Sequence, residues 1–361
     1  MKSPISKMAI AFVLGTSLVM GPRISFAADP SSNAFSDNSL TSSIGNSKSL
    51  LQEKERAKMV DLNSGTLQTL IKDRKVLDAH VLSNPSKIVL LTEGTSHRIE
   101  KHVYDQNGKQ LSRTIYKVSL PDQGEARWAA PSGKVKERIM TRHANRFTLY
   151  EAAGKAVSSY SVPAKSKLYE HIGIDDWDFS AYPYLAVEQV GQRTMAEDYN
   201  VQIINLYNKS VTELKTLPIN KKLDIDSRGH LNVWSSYRYE EVIPANAAHA
   251  DPAEKQSFHT LYSISTGKAL NNHKLVFPAG TAGRTGGWET QVVGDTVYVR
   301  DLSTGKWSLY PSNRSTPIVS DRTDATQDAR FVGYVSESKT VYFLLQEGTA
   351  AAKIQKIILK S

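Results

Sequence analysis

The chain has 361 residues and no cysteine, and its 45 Lys and Arg against 36 Asp and Glu give a formal net charge of +9. A chain of this length can bury a sizeable core, hiding roughly 70% of its extended-chain surface, while the lack of thiols excludes a disulfide framework, a Cys/His zinc pattern and a lipid-modified N-terminal Cys. No run of five or more Lys and Arg and no recognition module points to nucleic acid.

The N-terminus reads as an export signal. Lys2 and Lys7 precede an apolar run from Met8 to Met20, and Ser25-Phe26-Ala27-Ala28 stands before Asp29, the charge, core and small-residue order of a secretory signal peptide. Cleavage fits after Ala27 or Ala28. The run is broken by Gly15, Thr16 and Ser17 and is shorter than the roughly 20 residues that a membrane span needs, so no transmembrane segment is expected after cleavage. An uncleaved anchor is the alternative. Removal of residues 1–28 takes away Lys2, Lys7 and Arg23 and lowers the formal charge from +9 to +6. That excess suits loose attraction to anionic envelope polymers or lipid headgroups, or solubility alone. A secreted or cell-envelope location in a bacterium is the expectation.

Residues 29–48 shift to Ser, Asn, Asp and Gly, a composition that buries too little surface to offset its ordering entropy, so a flexible leader is expected there. Ser49 to Lys58 (SLLQEKERAK) reads as a short helix or as the approach to a first strand. From residue 49 to residue 361 a single repeat domain is expected.

Its runs are short, rich in Val, Ile, Tyr, Leu and Thr, and bounded by Gly, Pro, Asn and Asp; none has helical periodicity. A hairpin turn recurs among them. It appears in VDLNSGTLQTL at Gly65, VYDQNGKQLSR at Gly108, LYEAAGKAVSS at Gly154, INLYNKSVTEL at Asn208, YSISTGKALNN at Gly267, VRDLSTGKWSL at Gly305 and, more loosely, at Gly348. The gaps are 43, 46, 54, 59, 38 and 43 residues, a spacing expected of propeller arrays. VLDAHVLS, KIVLLTEG, RIEKHVYDQ and KQLSRTIYKV form one four-strand block ending at Pro121, and similar blocks end at Pro163, Pro218 and Pro278. Proline lacks an amide donor and belongs at or beyond a sheet edge. An insertion, RYEEVIPANAAHADPAEKQ, lengthens the fourth block, and the last two blocks are short. The predicted fold is an all-β propeller of six or seven four-stranded antiparallel blades, six being favoured, with N- and C-terminal strands sharing one blade to remove the open sheet edges.

LDIDSRGHLNVW, from Leu223 to Trp234, resembles the Asp-x-x-Gly-x-hydrophobic turn of NHL-type six-bladed propellers, and the Ser/Thr-Gly-Lys hairpins resemble quinoprotein-type and WD-like blades. The shared pattern covers most of the chain after about residue 59 and implies a secreted bacterial propeller. The tryptophan-docking motif of quinoprotein blades is missing and Trp-Asp occurs only at Trp177-Asp178, so the resemblance implies a fold and no activity.

Two carboxylate groups stand out. In HIGIDDWDFSAYPY, Asp176 and Asp178 share one strand face, with His171 and Asp175 on the other. Asp224 and Asp226, with His230, follow about one period later. Such pairs can hold calcium or another divalent cation, or act as an acid and a base; they are equally the residues of turns and strand ends. The histidines are scattered, and neither HExxH nor G-x-S-x-G nor an aspartate box of the sialidase type occurs. Trp128, Trp177, Trp234, Trp288 and Trp307 are expected one per block, mostly packed between blades. Trp177, Tyr182, Tyr184, Trp234 and Tyr237 are the candidates for binding.

The expected function is an exported, monomeric, non-catalytic scaffold without a cofactor that recognises a protein, a peptide or a cell-wall glycan. The alternative is a metal-dependent extracellular hydrolase, lyase or lactonase, with Asp176, Asp178, Asp224 and Asp226 in the propeller channel.

Overall fold

The computed structural model describes residues 40–44, 47–83, 86–131, 136–193, 196–214, 221–225, 229–235, 257–274, 288–301, 304–311, 316–326, 329–345 and 353–360. Seven antiparallel sheets follow one another along them, each a meander of consecutive strands. Sheet 1 holds β1 (Leu40–Ile44), β2 (Lys48–Glu53), β3 (Arg56–Asp61) and β4 (Thr66–Ile71). Sheet 2 holds β5 (Val76–Ser83), β6 (Ser86–Glu93), β7 (Arg98–Asp105) and β8 (Gln110–Ser119). Sheet 3 is β9 (Glu125–Ala129), β10 (Arg138–His143), β11 (Arg146–Glu151) and β12 (Ala156–Ser161); sheet 4 is β13 (His171–Asp178), β14 (Tyr184–Arg193), β15 (Ala196–Asn205) and β16 (Val211–Glu213). Sheet 5 is β17 (Lys221–Ile225), β18 (His230–Ser235), β19 (Ser257–Ser263) and β20 (Ala269–Lys274); sheet 6 is β21 (Trp288–Val293), β22 (Thr296–Asp301), β23 (Trp307–Pro311) and β24 (Val319–Arg322). Sheet 7 has β25 (Arg330–Val335), β26 (Thr340–Leu345) and β27 (Lys353–Ile358). Among the described residues no helix is long and apolar enough to cross a membrane.

The first strands of the sheets face one another, β1 with β5, β5 with β9, β13 with β17 and β21 with β25. Packing between sheets follows from alternation along those strands. In β9, Ala126 and Trp128 are buried while Glu125 and Arg127 are half-exposed; in β17, Leu223 and Ile225 are buried and Asp224 is exposed. Buried apolar clusters join sheets 1 and 2, 2 and 3, 3 and 4, 4 and 5, and 6 and 7. Each large side chain buried in them contributes about 1.5–3 kcal/mol.

The chain is a β-propeller, and among the described residues it has seven sheets, the upper of the two expected counts. The expected strand sharing does not occur among the described residues: β1 and β2 complete sheet 1, and sheet 7 draws its strands from the C-terminal end alone. The two sheets meet through side chains. Leu51, Val60 and Leu62 pack against Val332, Val335, Tyr342 and Leu344, and the buried Ser49 hydroxyl donates to the Val332 carbonyl at 2.6 Å.

β1 lies within the stretch expected to be a flexible leader, and Ser49 to Lys58 forms β2 and part of β3 rather than a helix. The repeat also slips in phase. Gly65, Gly108, Gly154 and Gly267 turn between third and fourth strands, whereas Gly305 turns between the second and third strands of sheet 6. Trp288 and Trp307 open two strands of that same sheet, so the tryptophans are not one per block. Pro121 and Pro163 stand just past β8 and β12, as the edge argument requires; Pro218 and Pro278 lie outside the described residues.

Candidate functional site

Charged side chains gather on the first strands β5, β9 and β13, among them the buried Asp78 and Asp178. Asp78 on β5 follows a bulge at Val76/Asp78. Its Oδ2 accepts the Trp128 amide of the next sheet at 2.8 Å and lies 2.6 Å from His80 Nε2. Burial alone would raise the Asp78 carboxyl, but His80, Arg127 and the Trp128 amide outweigh it and hold the group below the usual carboxylate range. For His80, burial pushes downward and is overcome by the charge and hydrogen bond of Asp78, with Asp178 adding to them, so its affinity for a proton is raised. The His80 side chain is 18% exposed. Burial of Arg127 is likewise outweighed by Asp78, Asp176, Asp178 and Glu125; its guanidinium donates to the Leu77 carbonyl at 2.8 Å and lies 5.3 Å from the Trp177 ring. Glu125 takes two bonds from Arg142, at 3.1 and 2.6 Å, and a third from the Trp177 indole.

Asp176 and Asp178 share a face as expected, and both reach forward to the next sheet. Asp176 accepts the Leu223 amide at 2.8 Å with Oδ2 and the Trp177 amide at 2.8 Å with Oδ1. Asp178 accepts the Ile225 amide at 2.9 Å with Oδ2, and the Ser180 amide and hydroxyl at 2.6 and 2.7 Å with Oδ1. These carboxylates thus tie β13 to β17, and Asp78 ties β5 to β9 in the same way. Charge-assisted bonds of this kind are about twice as strong as neutral ones. Asp224 is exposed on β17 and Asp226 lies outside the described residues. Among the described residues no group of three or more His, Asp or Glu is placed to hold a metal ion.

A second charged knot sits within sheet 2. Glu100, 1% exposed, receives Arg74 Nη1 at 2.6 Å and two bonds from Arg113 at 3.0 and 2.8 Å. His102 Nε2 lies 3.4 Å from the same carboxylate and 3.1 Å from the Thr92 hydroxyl. Burial outweighs the pull of Glu100 and lowers the proton affinity of His102. Arg74 comes from the segment between sheets 1 and 2, so this knot fixes a connection.

The aromatic candidates divide. Trp177 is 1% exposed and belongs to the core between sheets 3 and 4, edge-on to Phe147 at 5.2 Å. It is a packing residue and not a ligand platform. Tyr184 packs, half-buried, against the core between sheets 4 and 5. Trp234 lies on β18 with its side chain outside the described set, as is all of Tyr237. Tyr182 is different. It stands in the connection between β13 and β14, where its ring meets that of Tyr207 edge-on at 5.3 Å, and the Arg138 guanidinium lies 5.6 Å from it. Burial, then the Tyr207 hydroxyl, raises the Tyr182 phenol, with Arg138 opposing. Tyr207 is 66% exposed. Sequence reading passed over Tyr207 and Arg138, although a large aromatic in a hairpin turn otherwise built of Ser, Asn, Gly and Lys is itself a signal.

Antiparallel meanders place the first-to-second and third-to-fourth turns of every sheet at one end. Tyr182, Tyr207 and Arg138, the residue that opens β10, therefore share one rim of the propeller.

No family model matches the chain, and no curated protein matches it. Solved structures to which it is similar include Hsv2 of Kluyvelomyces marxianus (9% identity over 87% of this chain and 96% of that one, TM-score 0.39). Others are the β-propeller domain of the Trilobed protease from Pyrococcus furiosus (9% identity, 88% and 93% covered, TM-score 0.45) and the Pyrococcus horikoshii acylaminoacyl peptidase (9% identity, 88% and 50% covered, TM-score 0.43). This chain spans about half the length of that peptidase. The likeness is one of fold; the sheet order and the packing between sheets establish the propeller.

Proposed function

We propose that the chain is an exported, non-catalytic propeller that recognises a macromolecular partner (a protein, a peptide or a cell-envelope glycan) with the rim that carries Tyr182, Tyr207 and Arg138. One contrast carries this reading. The carboxylates of the first strands β5 and β13, Asp78, Asp176 and Asp178, are engaged by amides of neighbouring strands, whereas the rim presents a largely exposed Tyr beside a half-buried Tyr and an arginine. Aromatic and arginine side chains are the ones that dominate binding energy at interfaces. The signal-like N-terminus supports export.

The test is binding of the purified chain to immobilised envelope polysaccharide and peptide fractions. Tyr207→Ala is expected to weaken binding about tenfold, equivalent to about 1.4 kcal/mol, and His80→Gln to leave it within about twofold. Turnover of those fractions that Asp176→Asn and Asp178→Asn abolish would overturn the reading in favour of a channel enzyme. A calcium requirement has its own readout: an ion at Asp176 or Asp178 would compete with the Leu223 and Ile225 amides, so chelation is expected to leave the unfolding temperature unchanged.

A further inference from the structure

We infer that the partner on this rim is a carboxylated polysaccharide, held by sugar-ring stacking on Tyr207 and by a row of lysines at the hairpin tips; the inference rests on the rim reading above. Two observations converge on it. The first is the corner itself. Tyr207 offers an open ring face, and the rings of Tyr207 and Tyr182 meet edge-on with Arg138 over the latter. A pyranose presents C–H groups to such a face and hydroxyls to its surroundings, and an amphipathic aromatic suits both.

The second is the repeat. Lys109, Lys155, Lys209 and Lys268 each directly follow the turn residue between the third and fourth strands of sheets 2, 3, 4 and 5, and all four are exposed. The backbone sets this geometry: the Asp105 amide donates to the Lys109 carbonyl at 3.0 Å, Glu151 to Lys155 at 3.0 Å, and Ser263 to Lys268 at 2.9 Å. Two acids close to the tips are directed elsewhere. The Asp105 carboxylate accepts its own turn's amides from Asn107 and Lys109, and Glu137 pairs with Lys101. At the position of Asp105, sheet 3 carries Glu151, whereas sheets 4 and 5 carry the neutral Asn205 and Ser263, so the tips of sheets 4 and 5 have no acid there.

Lysine is a compact, hydrated point charge on a flexible stem. Lysines at the tips of four successive sheets match a long chain bearing a charge on each repeating unit better than they match a small ligand. The ring face in their midst selects a sugar backbone over a polypeptide.

The experiment measures binding of the purified chain to polygalacturonate, to its fully methyl-esterified neutral form, to poly-L-glutamate and to polyphosphate. Polygalacturonate is expected to bind. Esterification and the triple variant Lys155→Glu/Lys209→Glu/Lys268→Glu should each weaken binding at least about tenfold, as should raising salt from about 0.05 to about 0.5 M, because exposed charges are screened. Tyr207→Ala should weaken polygalacturonate binding about tenfold more than it weakens poly-L-glutamate binding. Lys165→Glu, on the connection at the opposite end, is the control and should bind as wild type. Equal affinity for poly-L-glutamate or polyphosphate would overturn the sugar assignment, and undiminished binding of the neutral ester would overturn the charge assignment. If Tyr207→Ala weakens a neutral glycan or a peptide while the lysine variant has no effect, this inference fails and the rim reading stands. If no probe binds and Tyr207→Ala leaves capture of envelope fractions unchanged, both fail.

Discussion

His80 on β5 and His102 on β7 are separated by β6 in sheet 2, and they bias stability in opposite directions. The proton affinity of His80 is raised, because Asp78 and Asp178 overcome its burial; its contribution is therefore complete below the unfolded value of about 6.5 and is lost as pH rises through the higher folded value. His102 is held neutral by burial, so the unfolded chain binds the extra proton and stability is lost as pH falls below about 6.5. Chemical denaturation from pH 5 to pH 8 is expected to show His80→Asn costing most at the acid end and His102→Asn gaining there relative to pH 8. Parallel curves for the two variants would contradict the assignment. Trp177 gives a second residue-scale expectation: Trp177→Ala should cost about 3–5 kcal/mol, read from denaturant midpoints, because the ring is enclosed and its indole bonds Glu125. Sequence alone made the shared face of Asp176 and Asp178 legible, since strand side chains alternate with period two. Their acceptor role was not legible, because the amides they accept, those of Leu223 and Ile225, lie 47 residues further along the chain.

At the scale of elements, turns and strands were written locally and are found where local chemistry puts them. β5 coincides with VLDAHVLS and β26 lies within TVYFLLQ, runs whose apolar residues declare themselves. β1 (LTSSI) and β24 (VSDR) were invisible for the converse reason: their side chains are mostly small or polar, and the backbone ladder to β2 and β23 is what defines them. Two turn glycines separate conformational strain from contact. Gly154 has a φ of +89°, and a Cβ there would come within 2.4 Å of the Lys117 carbonyl oxygen on β8 of the neighbouring sheet. Gly305 has a φ of +69° with nothing within 4 Å. Gly305→Ala should thus cost only the left-handed penalty, about 1–2 kcal/mol, whereas Gly154→Ala must also displace backbone and should cost clearly more. Thermal unfolding of the two variants side by side decides the point; equal losses would mean that the turn at Gly154 yields freely.

At the scale of the molecule, the periodicity of the hairpins disclosed the architecture and a count of six or seven; the leaning toward six came from the phase slip at Gly305 and from β1, whose residues are mostly small or polar. The seam is where a direct test lies. Sheets 1 and 7 are joined by Leu51, Leu62, Val332 and their neighbours and by the Ser49 hydroxyl, with no described sheet hydrogen-bonding across them. Leu51→Ala should cost about 2–5 kcal/mol, and hydrogen exchange in this variant should accelerate first in β1–β4 and β25–β27 while sheets 3 and 4 keep their protection. Uniform acceleration around the ring would indicate that the seam is no weaker than any other boundary.

Because each sheet is an uninterrupted stretch of chain, nothing made early must wait for a strand made late. A nascent polypeptide threading out of a narrow pore can finish one sheet before the next emerges, and domains are known to form in that N-to-C sequence. The packing of sheet 1 on sheet 7 joins strands far apart in the chain, so it is expected to form only once β25–β27 have emerged.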